Sequence, residues 1–179
     1  MNKTLSLRTI LCLLGAAIVG FGSMSCYPDT RLANARPGFS GAAVDSICLL
    51  PPVEGRTVIR DADKFATIAP KLSEGLQSTL KSMGYAVNVA TTEANLSGEQ
   101  VAFADAATIR NLGPSTARWV LVPVLDSARP SPALVWGGYG MSAYLFDKQT
   151  GELAWEGNVI SSHYESLPDL ALRESFRRK

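Results

Sequence analysis

The chain has 179 residues, of which 46% are hydrophobic and 18% are charged, and its formal net charge is +1. This length accommodates one domain, or one domain with a targeting segment. A near-neutral chain lacks the clustered excess of Lys and Arg that nucleic-acid phosphates require, so no nucleic-acid partner is expected. The basic run Arg177-Arg178-Lys179 is interpreted as a solvated tail.

Residues 1–25 have the pattern of a signal peptide. Lys3 and Arg8 precede an uncharged, mostly apolar stretch from Ile10 to Met24, and Ser23 and Ser25 supply small residues at its end. Basic, apolar and small-residue regions in this order predict export from the cytoplasm. Removal of the segment takes away two basic residues and no acid, which changes the net charge from +1 to −1.

Cys26, directly after these small residues, resembles the lipobox cysteine of bacterial lipoproteins, which receives diacylglycerol and becomes the first mature residue. The resemblance implies a lipid anchor at Cys26, with the protein attached to the outer membrane and facing the periplasm. Ser23 occupies the position where the family prefers Leu. Cleavage by ordinary signal peptidase and retention as an uncut anchor remain open, although the ~15 apolar or small residues fall short of the ~20 of a spanning helix.

Residues 26–44 contain several Pro and Gly and few large apolar residues, which predicts a lipid-anchored flexible tether. Residues 45–179 are then predicted to form a single domain. Ser46–Leu50 is a short apolar run typical of a buried strand, in which Cys48 is interpreted as a small core residue. Without a second cysteine in the domain, no intramolecular disulfide is expected.

A helix is predicted next, because apolar residues recur at helical spacing from Phe65 to Met83. Its regular part is expected to start close to Pro70 and to end at Gly84. Tyr85–Val89 predicts a second strand. Ser97 and Gln100 then have the form of a capping box.

One helix is expected to follow this capping box, with Val101, Asp105, Thr108, Ile109 and Leu112 on one face and Gly113 at its end. Trp119–Leu125 predicts a third strand. Since Pro123 cannot donate to a strand ladder, this strand is expected at a sheet edge or with a bulge at that residue.

Gly140–Phe146 and Leu153–Ile160 predict a β-hairpin around the turn residues 147–152. A terminal helix is predicted from about Ser166 to Phe176. The element order indicates an α/β (α+β) domain: a mixed sheet of about five strands with helices packed on it, a C-terminal β-hairpin and a short terminal helix.

The segments ICLLPPVEGR, LKSMGYAV, ARWVLVPVLDS and SAYLFDKQTGELAWEGN follow the lipobox-like leader in this order. This arrangement resembles small bacterial envelope lipoproteins that share the fold of the TolB amino-terminal domain, such as the curli-secretion lipoprotein and the lipoprotein activators of penicillin-binding proteins. The resemblance covers roughly residues 45–162. It implies assembly, scaffolding or secretion accessory roles, often in oligomers, and its hairpin motif holds no catalytic residue.

No residue pattern for catalysis, metal binding or a cofactor is found. His163 has no second His or Cys with which to form a metal set, and is interpreted as a polar residue at a strand end. Asp126, Asp147 and Glu156 are placed at strand ends or turns, where carboxylates commonly lie in water. A glycosidase pair among them is not nominated by any spacing.

The run that enters the fourth predicted strand is the candidate interface. Leu134, Val135, Trp136 and Tyr139 follow two prolines and carry no charged neighbour before Asp147. These residues either start the strand and belong to the core, or form an exposed apolar edge for a partner or another subunit.

The sequence therefore predicts a non-enzymatic cell-envelope lipoprotein that acts as an assembly, scaffolding or secretion accessory factor. Its expected partners are the membrane, through the anchor, and an envelope protein or further copies of itself. Two alternatives remain: a periplasmic hydrolase that acts on envelope polymer, and a ligand-binding accessory lipoprotein of a transport system. A convergent carboxylate pocket would favour the hydrolase, and a deep apolar cavity would favour the ligand-binding protein.

Overall fold

The computed structural model describes residues 30–55, 62–92, 94–129, 138–161 and 163–172. The described strands are β1 (Thr30–Ala35), β2 (Ser46–Leu49), β3 (Val53–Glu54), β4 (Ala86–Val89), β5 (Trp119–Arg129), β6 (Gly138–Asp147) and β7 (Glu152–Ser161). The described helices are α1 (Ala62–Ser82), α2 (Gly98–Ala102), α3 (Ala106–Arg110) and α4 (Leu167–Leu172), with short 3-10 turns at Gly41–Ala43 and Tyr164–Ser166. The predicted fold class is confirmed, with seven strands in this part of the chain where about five were expected.

The strands form one mixed sheet in the order β1-β7-β6-β5-β2-β4, and β3 pairs with β5 beyond the end of β2. From β1 through β7 and β6 to β5, each strand is antiparallel to the next. β5, β2 and β4 are parallel to one another, because helical crossovers connect them. β1 and β4 are therefore the two edges of the sheet.

The two faces of the sheet carry separate hydrophobic clusters. α1 and α4 cover the first face, where Ile68, Leu72, Leu76 and Leu80 recur every four residues and are at most 6% exposed. α2 and α3 cover part of the second face, above β5 and β2. The buried residues of that second cluster include Cys48, Leu50, Val120, Val122, Val124 and Phe146, packed beneath Val101, Ile109 and Leu112. Because helices cover β2 and β5 on both faces, the sequences of these strands are near-continuous apolar runs.

The expectation of a flexible tether is wrong for residues 30–43. Thr30–Ala35 is a strand that pairs with β7 from Ile160 to Trp155, and Gly41–Ala43 is a 3-10 turn in which Gly41 is buried. Pairing with a neighbouring strand overrides the weak apolar pattern of Thr-Arg-Leu-Ala-Asn-Ala. Residues 1–29, and with them the predicted signal peptide and Cys26, lie outside the described residues.

The prediction that α1 begins close to Pro70 is also wrong, because the helix extends back to Ala62 with Pro70 inside it. A proline in a helix interior removes one backbone hydrogen bond to the residue four positions earlier. Here both Pro70 and that residue, Ala66, are exposed, so water can satisfy the released carbonyl. The buried face of α1 is unaffected.

The single helix expected after Ser97 is two short helices, α2 and α3. The predicted capping box of α2 is confirmed, since Ser97 Oγ accepts from Gln100 N and the Gln100 side chain accepts from Ser97 N. Asp105, assigned to a helix face from sequence, is instead the N-cap of α3 and accepts from Thr108 N at 2.8 Å. Hydrogen bonds from the side chain and then the backbone of Thr108 lower the pKa of the Asp105 carboxyl.

The expectation that Pro123 marks a sheet edge or a bulge is wrong. β5 is an interior strand, and its register with β6 is regular through the Pro123–Ala143 pair. Leu50 N bonds to Leu121 O and Gly55 N bonds to Leu125 O, so the odd-numbered peptide groups of β5 face β2 and β3. Pro123 lies between these two contacts. It faces the connection between the end of β2 at Leu49 and the start of β3 at Val53. Its missing N–H therefore costs no ladder bond.

The predicted C-terminal hairpin is confirmed as β6 and β7, and the terminal helix begins at Leu167 after a 3-10 turn that includes Ser166. Phe176 and the basic run 177–179 lie outside the described residues. Among the helices that the structure describes, none combines the length and apolar character needed to cross a membrane.

Candidate functional site

The hairpin motif of the sequence is a structural element. Asp147, predicted to lie in water, is fully buried, which corrects that expectation. Its carboxylate accepts from Arg118 Nε at 3.2 Å, Arg118 Nη2 at 3.0 Å and Gln149 N at 3.0 Å. Burial raises the pKa of the Asp147 carboxyl, but the hydrogen bonds and the charges of Arg118 and Arg36 outweigh it, and the pKa lies below its usual value. The motif thus holds the turn between β6 and β7.

Aromatic packing completes this motif. Trp155 is 1% exposed, and its ring lies so close to Gly157 that a Cβ built there would be 2.6 Å from the ring atoms Cη2 and Cζ2. Glycine is needed at this position because of that approach. The hairpin motif therefore contributes stability.

A more informative surface is the half of the second sheet face that neither α2 nor α3 covers. On β1 and β7, Leu32, Asn34, Glu156, Asn158 and Ile160 point to this side, since they occupy paired or alternating positions. We call these five residues the open face. Leu32 is 64% exposed and Ile160 is 53% exposed. Asn34 Nδ2 donates to Glu156 Oε1 at 2.7 Å, so the polar members bridge β1 and β7.

At both edges of the sheet, the strands have outward peptide groups that pair with none of the described residues. Arg36 N bonds to Ala154 O, so the even-numbered residues of β1 face β7, and Ala33 and Ala35 direct their N–H and C=O groups outward. Ala90 N bonds to Leu49 O, so on β4 the outward residues are Val87 and Val89. β4 contains no charged residue, and Arg31 is the one charged residue of β1. Exposed edges with so few charges are templates for pairing with another strand.

A polar row crosses the second face beside the open face. Ser142 Oγ donates to Asp126 Oδ2 at 2.6 Å. Burial raises the pKa of the Tyr144 hydroxyl, and the charges of Asp126 and Glu156 raise it further, against a hydrogen bond with Ser142. Tyr144 is only 8% exposed and stacks on Phe146 at 6.4 Å. This row is a hydrogen-bonded packing arrangement.

The described residues form depressions that are open to solvent. One, of about 390 Å³, lies beside Phe103 and Asp105, and another, of about 420 Å³, lies beside Arg110, Arg118 and Lys148. Within the described ranges, no three His, Cys, Asp or Glu side chains converge as a metal site. Cys48 is 4% exposed, and burial raises the pKa of its thiol, which confirms its interpretation as a core residue.

The predicted interface residues are only partly described. Leu134, Val135 and Trp136 lie outside the described residues, so their role stays a prediction. Tyr139 is on β6, an interior strand, where it is half-buried and makes an edge-to-face contact with Tyr164 at 5.6 Å. His163 follows β7 with an exposed side chain.

Leu32 and Ile160 were not singled out from the sequence. Ile160 could have been found, because it alternates with Trp155, Gly157 and Val159, which face the first core. Leu32 gave no such signal, since its segment was interpreted as a tether.

In the part of the chain that the structure describes, these features define an α+β domain with one mixed sheet, two faces covered unequally by helices, and two edge strands without a further partner. No model of a known protein family matches the chain, and no curated protein matches it. Solved structures do share the fold.

The chain is similar to PelC from Paraburkholderia phytofirmans, solved as a dodecamer in two crystal forms. A single-substitution variant of PelC gives a TM-score of 0.53 at 15% identity, and a second PelC structure gives 0.52 at 17%. Each match covers 84% of this chain and 99% of PelC. Lipoprotein GNA1162 from Neisseria meningitidis gives 0.43 at 14% identity over 65% of this chain and 81% of its own. The expected likeness to the TolB amino-terminal domain and the curli-secretion lipoprotein stays a prediction.

Proposed function

We propose that the protein is a non-enzymatic lipoprotein of the cell envelope, anchored through Cys26, which self-associates and supports the assembly of a larger envelope complex. The observation that carries this proposal is the open face with its adjoining edge strand. Leu32 and Ile160 are large apolar side chains exposed at 64% and 53% on a sheet surface that no described helix covers. Exposed apolar surface next to polar residues is typical of contact surfaces.

The likeness to PelC supports self-association in particular. PelC forms a dodecamer, and nearly all of its chain aligns with this one. Repeated copies of a domain assemble when a surface patch finds its complement on a neighbouring copy. The open face and the two edge strands, which carry a single charged residue between them, supply such patches.

The arrangement of polar groups supports a role without catalysis. The carboxylate of Asp147 accepts a hydrogen bond from Arg118, and the carboxylate of Asp126 accepts one from Ser142. A general acid or base needs a reachable substrate position beside it. Asp126→Asn and Tyr144→Phe variants that still fold should therefore keep cellular function. Loss of function in one of these folded variants would support the periplasmic hydrolase instead.

Self-association is tested on the full chain, extracted from bacterial membranes in mild detergent. Light scattering coupled to gel filtration should give a protein mass that is a multiple of the monomer mass. A Leu32→Asp, Ile160→Asp double variant should give a lower assembled mass than the wild type. A Glu156→Gln variant leaves both apolar side chains in place and should assemble to the wild-type mass. A wild-type protein that stays monomeric at micromolar concentration would overturn the proposal.

The anchor is tested separately, by growth with labelled palmitate. The wild type should incorporate the label, and Cys26→Ala should abolish it and release the protein from the membrane fraction. One acyl chain binds membranes only marginally, whereas several chains hold a protein firmly. An unlabelled, freely soluble wild type would favour cleavage by ordinary signal peptidase, and an unlabelled membrane-bound one would favour the uncut anchor.

A further inference from the structure

We infer that the copies join head to tail through their sheet edges, with β1 of one copy pairing antiparallel to β4 of the next. This inference rests on the proposed self-association and names the surfaces that make it. The partner is a second copy of this chain. Its contact elements are residues 32–35 on one side and residues 86–89 on the other.

Strand directions make this pairing possible. From β5 the antiparallel steps to β6, β7 and β1 leave β1 opposite in direction to β5. The parallel steps from β5 to β2 and β4 leave β4 in the same direction as β5. When two copies lie side by side in one orientation, β1 of one therefore meets β4 of the other in antiparallel sense. The sheet continues across the boundary with its faces in register.

The peptide groups and side chains also match. Ala33 and Ala35 direct their peptide groups out of β1, and Val87 and Val89 direct theirs out of β4. With Ala33 opposite Val89 and Ala35 opposite Val87, all four residues exchange backbone hydrogen bonds in pairs. Their side chains then lie on the α1 side of the sheet, where alanine leaves room for valine.

The exposed apolar surface of β4 is one that a neighbouring copy can cover. Val89 is 46% exposed although it is a β-branched residue on the side of the first core. A neighbouring β1 strand would cover this surface. The same register places Asn34 opposite Asn88 on the second face, in a pair that exchanges no backbone bonds and whose Cα atoms approach most closely. Head-to-tail contacts of this kind generate closed rings or open filaments. Within such an assembly, each copy pairs through β1 with one neighbour and through β4 with the other.

Disulfide crosslinking of the full chain in cells tests this pairing. Asn34→Cys and Asn88→Cys are made separately and together, and the single variants also control for the native cysteines. Neither single variant should crosslink alone. Coexpression of the two should give covalent dimers only, and the double variant should give a ladder of higher multimers under oxidation. Crosslinks from Asn34→Cys alone would indicate a two-fold β1–β1 contact and overturn the inference.

A proline pair provides a second measurement. Ala33→Pro removes an outward N–H and leaves the β1–β7 ladder complete, so it should convert the assembly to monomers with a melting curve close to that of the wild-type monomer. Asn34→Pro removes an N–H that faces β7 and should destabilise the monomer itself. A double cysteine variant that assembles without forming the crosslinked ladder, together with an Ala33→Pro variant that still assembles, would overturn edge pairing and leave self-association standing. A monomeric wild type would instead overturn the proposed function.

Discussion

Replacing Arg118 by methionine should leave the buried carboxylate of Asp147 without its cationic partner. Arg118 is the half-exposed member of the pair, with 51% of its side chain accessible, whereas Asp147 is fully buried. The substitution keeps a long apolar stem but removes the Nε and Nη2 donors at 3.2 and 3.0 Å. One hydrogen bond to the carboxylate then remains, from Gln149 N.

The size of the effect follows from this geometry. Hydrogen bonds to charged groups contribute roughly 1.5–3 kcal/mol each, and breaking a buried ion pair costs roughly 3–5 kcal/mol. Because Arg118 lies on the solvent side of the pair, water can enter its place, and we expect a loss near the lower limit, about 3 kcal/mol at neutral pH. Asp147→Asn should cost less, about 1–2 kcal/mol, since the guanidinium left behind is already hydrated.

The pH dependence distinguishes this cause from lost packing. In the wild type the pKa of Asp147 is lowered on folding, so its contribution is present above the unfolded pKa of about 3.9 and is lost as pH falls through the folded pKa. In Arg118→Met, only the Gln149 hydrogen bond and the charge of Arg36 still oppose burial, so the pKa of Asp147 should rise on folding. Stability of the variant should then fall as pH rises through the unfolded pKa. The difference between the two proteins should therefore widen from pH 3 to pH 7.

Urea denaturation at these two pH values, with Arg118→Met, Asp147→Asn and the double variant, measures the coupling directly. The double variant should be more stable at neutral pH than Arg118→Met alone, because it has no buried charge. A loss below about 1 kcal/mol that does not change with pH would show that the pair behaves as an ordinary surface salt bridge.

Three further predictions concern packing and capping. Gly157→Ala should destabilise the domain by about 1–3 kcal/mol in urea denaturation, because the new Cβ meets the buried ring of Trp155; an unchanged midpoint would show that the ring can move. Tyr139→Ala should lower the melting temperature and leave the assembled mass unchanged if its contact with Tyr164 is its main role, whereas loss of mass at constant melting temperature would place it in an interface. Ser97→Ala should cost about 1 kcal/mol, and a Ser97→Thr variant that retains the cap should recover most of it.

The sequence predicted those elements whose local pattern agrees with their packing. The four-residue recurrence of Leu72, Leu76 and Leu80 is the buried face of α1, and the apolar runs of β2 and β5 are buried on both sides. The capping box at Ser97 needed only local hydrogen bonds, so its residues were sufficient to predict it.

The missed elements depend on distant partners. β1 is a strand because it pairs with β7, more than a hundred residues away, and its own residues favour no single state. Asp105 could have been recognised as a helix N-cap, since Thr108 follows three residues later, but its spacing from Val101 also fitted one helix face. The prediction of an edge or bulge at Pro123 was wrong because the position of this residue relative to β2 and β3 is a property of the assembled sheet.

The predicted interface and the open face lie in different parts of the chain. An interface without catalytic groups was expected near Trp136 and Tyr139. The large apolar residues that the structure describes as exposed are instead Leu32, Val89, Phe103 and Ile160, of which Leu32 and Ile160 lie on β1 and β7. Recognising them required strand order, because exposure of a sheet face is decided by which helices cover it.

The early start of β1 sets how far the domain can stand from a membrane. Thr30 is four residues from Cys26, and a fully extended chain of this length reaches roughly 14 Å. If Cys26 carries lipid, the domain is held almost against the headgroups and cannot tumble freely. Thr30 pairs with Ile160, and Tyr139 pairs with Ser161, so this end of the hairpin is the one that such an anchor would hold at the bilayer. The opposite end, with Asp147 and the turn before β7, would then point toward the periplasm.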